Sequence, residues 1–424
     1  VLLSSQRCFA KVYIDIASPF ATRLAIAIPN FQNTGTQQDG GGIATKMPTV
    51  IAEDLNLSGF FRILNTSAIA DNGASLGLSA STIKWENLSM IGAEALVTGG
   101  FTQNGGELVA ELRLFDTVQR QLIVGKRYFG KVQDSRLIAH KFSNEILKNL
   151  TGEESIFETK IAFEKGARGK KEIAIADFDG SRMETITSYN SITISPAWSP
   201  DGKKLAFTSY KDGNPSLYIK DIATGKTDLV SNKKGVNITP AWSHDGRKIA
   251  LTLSLNNGNS EIYLMDVASR SLERLTDDWA TDVSPTWSPD DTQIAFVSSR
   301  SGAPHIYVLD VATKRVRRIT MEGSYNTSPD WSPKGNRIVY AGQQGSGFNI
   351  FVVSTDGALF QQLTHRQGSN ERPSWSPDGR FITFSSNRTG KKEIYIMRAD
   401  GSGQKKITSG SGEKTAPAWS SFLR

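Results

Sequence analysis

Through the C-terminal two thirds of the chain, hydrophobic positions come as short runs bounded by turn residues, the pattern of many short β-strands. Apolar runs at 205–207, 249–251, 294–296, 338–340 and 381–384 each follow a Ser-Pro-Asp-Gly turn or a variant of it. A second set lies at 217–219, 262–264, 306–308, 350–352 and 394–396, and a third, edge-like set ends in Leu-Thr or Ile-Thr, as at Leu275-Thr276 and Ile319-Thr320. An Asp-Gly pair between β-rich runs supplies the positive φ of a tight hairpin, so each turn predicts strands on either side.

These runs belong to a repeat. Six of the eight tryptophans, Trp198, Trp242, Trp287, Trp331, Trp375 and Trp419, are spaced by 44, 45, 44, 44 and 44 residues, each with serine after it and proline two positions before it. Four strands in such a unit match a β-propeller blade. The Pro-x-Trp strand occurs six times, and so does the second strand once 161–163 is counted, but in shifted register. The first Ile-Ala-Phe unit has no Trp strand before it, and the last Trp strand has no Ile-Ala-Phe strand after it. The economical arrangement is a six-bladed ring in which the C-terminal strand becomes the innermost strand of the blade begun at Lys160; an open solenoid would leave bare sheet edges. The Trp, identical in every unit, reads as filler between blades. The loops that vary, at 191–195, 236–239, 281–284, 325–328, 369–372 and 413–416, converge on one mouth of the channel, the default binding site.

The first 150 residues carry another pattern. Strands are predicted at 12–16 and 24–28, and a glycine-rich loop at 40–42 leads into a helix over 43–56 with Met47, Val50, Ile51 and Leu55 on one face. Further strands fall near 61–64, 95–98, 108–115 and 122–128, and a second helix near 136–149 carries Ile138, Phe142 and Ile146. The fold class is therefore an α+β N-terminal domain at 11–156 followed by an all-β six-bladed β-propeller at 157–424, closed by the C-terminal strand.

Charge and composition trim the function classes. Net charge is +7, and the lysine pairs at 170–171, 203–204, 233–234, 391–392 and 405–406 are scattered, so the balance reads as a solvated surface without a nucleic-acid arm. Mean hydropathy is −0.31 and no apolar run approaches a spanning helix, so the chain is not read as membrane-embedded. Residues 1–10, VLLSSQRCFA, look like the tail of a secretory signal peptide cut after Ala10. An ordinary terminus is the competing reading, as is a lipid-anchored Cys8, which the preceding Arg7 disfavours. One cysteine excludes an intramolecular disulfide framework and a Cys-clustered zinc site.

Catalytic signals are weak. Gly73-Ala-Ser75-Leu-Gly77 has nucleophile-elbow spacing but follows Asp71-Asn72 instead of a strand. The glycines at 40–42 precede a helix, where phosphate can bind, without a P-loop or dinucleotide pattern. His140, His244, His305 and His365 show no metal-ligand spacing. No catalytic residue, metal or cofactor is assigned.

The Pro-Ala-Trp-Ser-Pro-Asp-Gly units, behind KVYIDI at 11–16, IAIPNF at 26–31, SGFF at 58–61 and LIAHK at 137–141, resemble the TolB family, soluble periplasmic proteins of the Tol-Pal system of Gram-negative bacteria. The resemblance covers essentially residues 11–424. It implies a monomeric, non-enzymatic adaptor without cofactor, linking inner-membrane Tol proteins to the peptidoglycan-associated lipoprotein Pal and supporting outer-membrane integrity during division. It further implies Pal docking at the channel mouth, carried here to Asn237, Asp282, Tyr325, Asn326, Asn370, Glu371 and Lys414. TolA binding falls to the N-terminal strand, Lys11, Val12, Tyr13, Ile14, Asp15 and Ile16. Other outer-membrane proteins are admitted as partners. Related repeats in prolyl oligopeptidase-type peptidases leave a propeller-bearing hydrolase as the alternative, with Ser75 its only motif candidate.

Overall fold

The computed structural model describes residues 23–67, 77–167, 169–255 and 258–423. The chain divides after Glu158 into two compact units.

The first unit is a sheet carrying helices. Its strands are β1 (Leu24–Ala27), β2 (Gln32–Asn33), β3 (Phe61–Leu64), β4 (Ala95–Asn104), β5 (Glu107–Asp116) and β6 (Gln121–Lys131), in the order β3-β1-β4-β5-β6 with β2 beside β4. Helix α1 (Ile43–Ser58) buries Met47, Val50, Ile51 and Leu55, the predicted face. Pro48 lies inside it and lacks an N–H, and the Ala44 carbonyl that this N–H would have met accepts instead from Phe31 N at 2.8 Å. Short α2 (Trp85–Met90) escapes the sequence reading because six residues are too few for helical periodicity to show; its Trp85 and Leu88 pack with Phe115. Helix α3 (Ser135–Thr151) buries Ile138, Phe142 and Ile146. His140 Nδ1 lies 2.8 Å from Asp54 Oδ2, a buried link between α3 and α1.

The second unit is a ring of six four-stranded antiparallel sheets. Blade 1 joins Glu413–Trp419 to Lys160–Ala167, Lys170–Asp177 and Glu184–Thr185. Blades 2 to 6 are contiguous in sequence and open on the inner strands Thr193–Trp198, Asn237–Trp242, Asp282–Trp287, Asn326–Trp331 and Asn370–Trp375. Closure is by pairing of Trp419 with Ile161, reinforced by Lys160 N to Ser420 Oγ (3.0 Å) and Ser420 N to the Lys160 carbonyl (2.8 Å). Trp331 sits among Ile306 and Val308 of blade 4 and Ile338 and Tyr340 of blade 5, so the repeated ring does fill the space between sheets. In the turn after it, Gly202 and Gly379 have φ of 67° and 65°, and Asp291 takes the same left-handed geometry at 57° where glycine is missing.

Candidate functional site

Each inner strand bulges before its Pro-x-Trp. Ser195, Thr239, Ser284, Ser328, Arg372 and Ala416 hold φ between 50° and 58°, a left-handed conformation that a non-glycine residue keeps only when its surroundings enforce it. The enforcement includes bonds from the neighbouring blade: Ser284 N donates to Thr252 Oγ1 (3.3 Å) and Ser195 N to Glu164 Oε1 (3.1 Å). These bulges and the segments after them wall an axial cavity of about 590 Å³.

A second ring of bonds lies at the upper face, where the inner strands begin. The Thr of each Leu-Thr or Ile-Thr accepts a third-strand N–H: Thr187, Thr276, Thr320, Thr364 and Thr408 take Ile173, Ile262, Ile306, Ile350 and Ile394, each at 2.9 Å. Thr276 in turn donates to Glu261 (2.5 Å), Thr364 to Asn349 (3.0 Å) and Thr408 to Glu393 (2.6 Å). The third-strand residue at that position then meets the residue five before the Trp of the next blade's inner strand. His305 Nδ1 lies 3.1 Å from Asn326 Nδ2, Asn349 accepts from Asn370 at 3.3 Å, and Glu393 faces Lys414 at 3.4 Å. The result is a polar latch between blades.

Most of the residues expected to meet Pal are parts of these latches. Asn237, Asp282, Asn326, Asn370 and Lys414 are at most 2% exposed. Asn237 gathers the Ser231 hydroxyl (2.7 Å) and Lys233 N (3.1 Å) and donates to the Pro215 carbonyl (3.0 Å). Of the seven, only Tyr325, at 41% exposure, and the half-buried Glu371 leave side-chain surface open to solvent. Strand alternation turns the residue five positions before each inner-strand Trp into the blade, a direction that loop position alone does not reveal.

Two charged groups face the cavity on adjacent blades. Asp330 accepts from Trp375 N (2.7 Å) and Thr286 Oγ1 (3.2 Å); half-buried on the wall but enclosed by protein, it is pushed up to about 6 by that burial, against those bonds. Arg372 lines the wall one blade on, its guanidinium 3.8 Å from buried Glu164. Burial opposes ionisation of Glu164, but the charges of Arg372 and Lys171, with bonds from Lys171 and Ser195, outweigh it and hold the carboxyl below the ordinary range.

The comparisons with known proteins follow the same two-part plan. The model of the TolB amino-terminal domain matches residues 12–123, and that of the TolB beta propeller domain matches 147–423, more than half of the chain. The chain belongs to the TolB family. The crystal structure of TolB from Acinetobacter baumannii is 28% identical, with a TM-score of 0.80 over 97% of this chain and 100% of that one. A putative TolB from Agrobacterium tumefaciens, 22% identical with a TM-score of 0.52 over 60% of this chain and 91% of that one, shares the fold. The "Tol-Pal system protein TolB" of Desulfosudis oleivorans is 42% identical over 46% of this chain, and that of Geobacter sulfurreducens equally so. The match spans somewhat under half of these curated relatives, 44% of each.

Ser75 and the segment from Lys11 to Ile16 lie outside the described residues. At the glycine-rich loop, the helix N–H groups that a phosphate would use are taken by Asp39, which accepts from Ile43 and Ala44 at 2.8 Å each. His305 is buried between Thr320, Asn326 and Arg318, which donates to its Nε2 side at 2.9 Å, and burial with the Arg318 charge keeps it below the usual histidine range. Among the described residues, no group of three or more His, Cys, Asp or Glu could hold a metal, and no helix is long and apolar enough to cross a membrane.

Proposed function

We propose that this chain is a non-enzymatic periplasmic adaptor of the Tol-Pal system, binding Pal at the upper mouth of its propeller and TolA through the strand at 11–16, in support of outer-membrane integrity and cell division. The observation that carries the reading is the likeness to a TolB crystal structure over both units at once, 97% of this chain and all of that one, because propeller repeats alone are shared by unrelated activities. The curated relatives bear the Tol-Pal name, which supports the same system here. In this reading Tyr325 and Glu371 touch Pal, while Asn237, Asp282, Asn326, Asn370 and Lys414 act at one remove by holding the loops in place. Cross-linking in intact envelopes tests it: Pal or a Tol protein should be captured, and recovery of neither rejects the adaptor.

A further inference from the structure

Lysine pairs that are far apart in the sequence share one end of the propeller. Loops from second to third strand, and from the outer strand to the next blade, all end at the upper face. Lys170–Lys171 of blade 1, Lys391–Lys392 of blade 6 and Lys233–Lys234 before blade 3 stand there. Lys170, Lys211, Lys233, Lys234 and Lys391 are exposed, Lys391 pairing with buried Glu393 at 3.2 Å, and the exposed acids in the loops of this sector are Asp212, which accepts from Tyr218 and pairs with Lys211, and Glu413. Blades 6, 1 and 2 therefore present a net-positive arc.

The opposite sector of the same face is apolar and acidic. Trp279, before blade 4, is 76% exposed, and Met321 and Tyr325, before blade 5, are 65% and 41% exposed. Asp277, Asp278 and Glu322 stand among them; Arg274 is bound to Asp277 and Glu261, Arg300 to Asp282 and, at 3.6 Å, to Asp278, and Arg318 to His305 and the Met321 carbonyl. The Trp279 loop is rigid: Asn259 Nδ2 donates to the carbonyls on both sides of it, Asp278 at 2.7 Å and Ala280 at 3.3 Å, and Ala280 N donates to Asp278 Oδ1 at 3.0 Å. Tyr325 is set edge-on against Phe348 with ring centroids 5.7 Å apart. An exposed indole on a fixed loop loses little freedom on binding and has the properties of an interface anchor.

We infer that this face docks a folded acidic protein, its acidic surface over the lysine arc and an apolar recess around Trp279 with Met321 and Tyr325 at the rim. The inference rests on the adaptor reading and deepens it, assigning the chemistry that a partner at this mouth must have. The charge split would steer association, and the anchor would set dissociation.

The test uses the purified chain against the soluble domain of Pal from the same organism, at low and high salt, with envelope cross-linking in parallel. Trp279→Ala should weaken binding about tenfold or more, mainly through faster dissociation. Lys233→Glu with Lys234→Glu should slow association about tenfold at low salt and flatten the salt dependence. Lys203→Glu with Lys204→Glu, at the opposite end, should leave both rates unchanged. If Pal binds every variant equally, the face is wrong and the adaptor reading stands. If Pal does not bind but an identified acidic protein is cross-linked and lost on Trp279→Ala, the Pal assignment falls and the face stands. A partner insensitive to both upper-face changes, a partner without an acidic surface, or no partner at all overturns the inference.

Discussion

Blades 1 and 3 share one strand plan and differ in how the chain supplies it. Blade 3 is a single stretch from Asn237 to Arg274, whereas blade 1 must bring Glu413–Trp419 back to Lys160–Ala167. Bringing residues as far apart as Glu164 and Thr415, 251 positions, into contact costs about 3–4 kcal/mol more loop entropy than closing a hairpin loop of a few residues. The two blades also differ at one register position. Blade 3 has Thr252, paired with Thr239 at 2.8 Å. Blade 1 has Glu164, which accepts from Thr415 (2.8 Å), Lys171 (2.7 Å) and Ser195 N (3.1 Å), with Arg372 at 3.8 Å. One carboxylate thus ties blades 6, 1 and 2 at the seam. A contiguous blade gets its pairing from connectivity, and the seam replaces connectivity with charge.

The largest effect expected from breaking this comparison follows from Glu164→Ala. It leaves Lys171 and Arg372 without their shared counterion, and since both are partly solvated the loss should be about 2–4 kcal/mol, with early hydrogen exchange confined to Glu413–Trp419. Thr252→Ala, at the matching position, should cost about 1 kcal/mol and expose no single strand. Equal costs in urea unfolding, or exchange spread evenly over the ring, would show that the seam has no special fastening.

The ring was legible because a repeat reports its own geometry: six Trp at a near-constant spacing and a shifted strand count force closure by the last strand. The mouth was legible too, as the set of loops before each Pro-x-Trp. Side-chain direction was not, and Asn237 or Lys414 looked like surface when each is a latch. A signal for the latches was present, since Glu261 and Asp282, His305 and Asn326, Asn349 and Asn370, and Glu393 and Lys414 are each 21 residues apart. What the sequence does not display is which of the scattered lysine pairs share a face: the strand order brings Lys170–Lys171, Lys233–Lys234 and Lys391–Lys392 to the upper end and leaves Lys203–Lys204 at the other.

The latches themselves differ, and pH separates them. Between blades 6 and 1 an acid faces a base, Glu393 and Lys414; between blades 3 and 4 the matching positions hold two acids, Glu261 and Asp282. Asp282 is fully buried, with one oxygen on Arg300 at 2.8 Å and the other without a partner, and burial pushes it up to about 6. Unfolded, it titrates near 4, so the native state binds more protons between about pH 4 and 6 and stability falls as pH rises through that window. By pH 7 this one group should cost about 3 kcal/mol. Asp330, raised to about 6 as well, adds a slope of the same sign. Asp282→Asn should therefore remove part of the fall measured by urea unfolding from pH 4.5 to 7. An unchanged slope would mean that Asp282 is ionised throughout.

The smallest contrast tests whether the repeated tryptophans are equivalent. Trp287 and Trp375 are equally buried, at 4% and 5% exposure, and occupy the same place in blades 4 and 6. Trp287 Nε1 donates to the Ala241 carbonyl at 3.1 Å, whereas Trp375 Nε1 is buried without a partner. Replacing either by Phe removes the same ring area, so the packing loss should be similar. Only Trp287→Phe also removes a hydrogen bond, and Trp375→Phe relieves an unsatisfied donor. Trp287→Phe should consequently cost about 1–2 kcal/mol more in urea unfolding. The reverse order would mean that shape complementarity between the blades, and not the indole N–H, distinguishes one interface of the ring from the next.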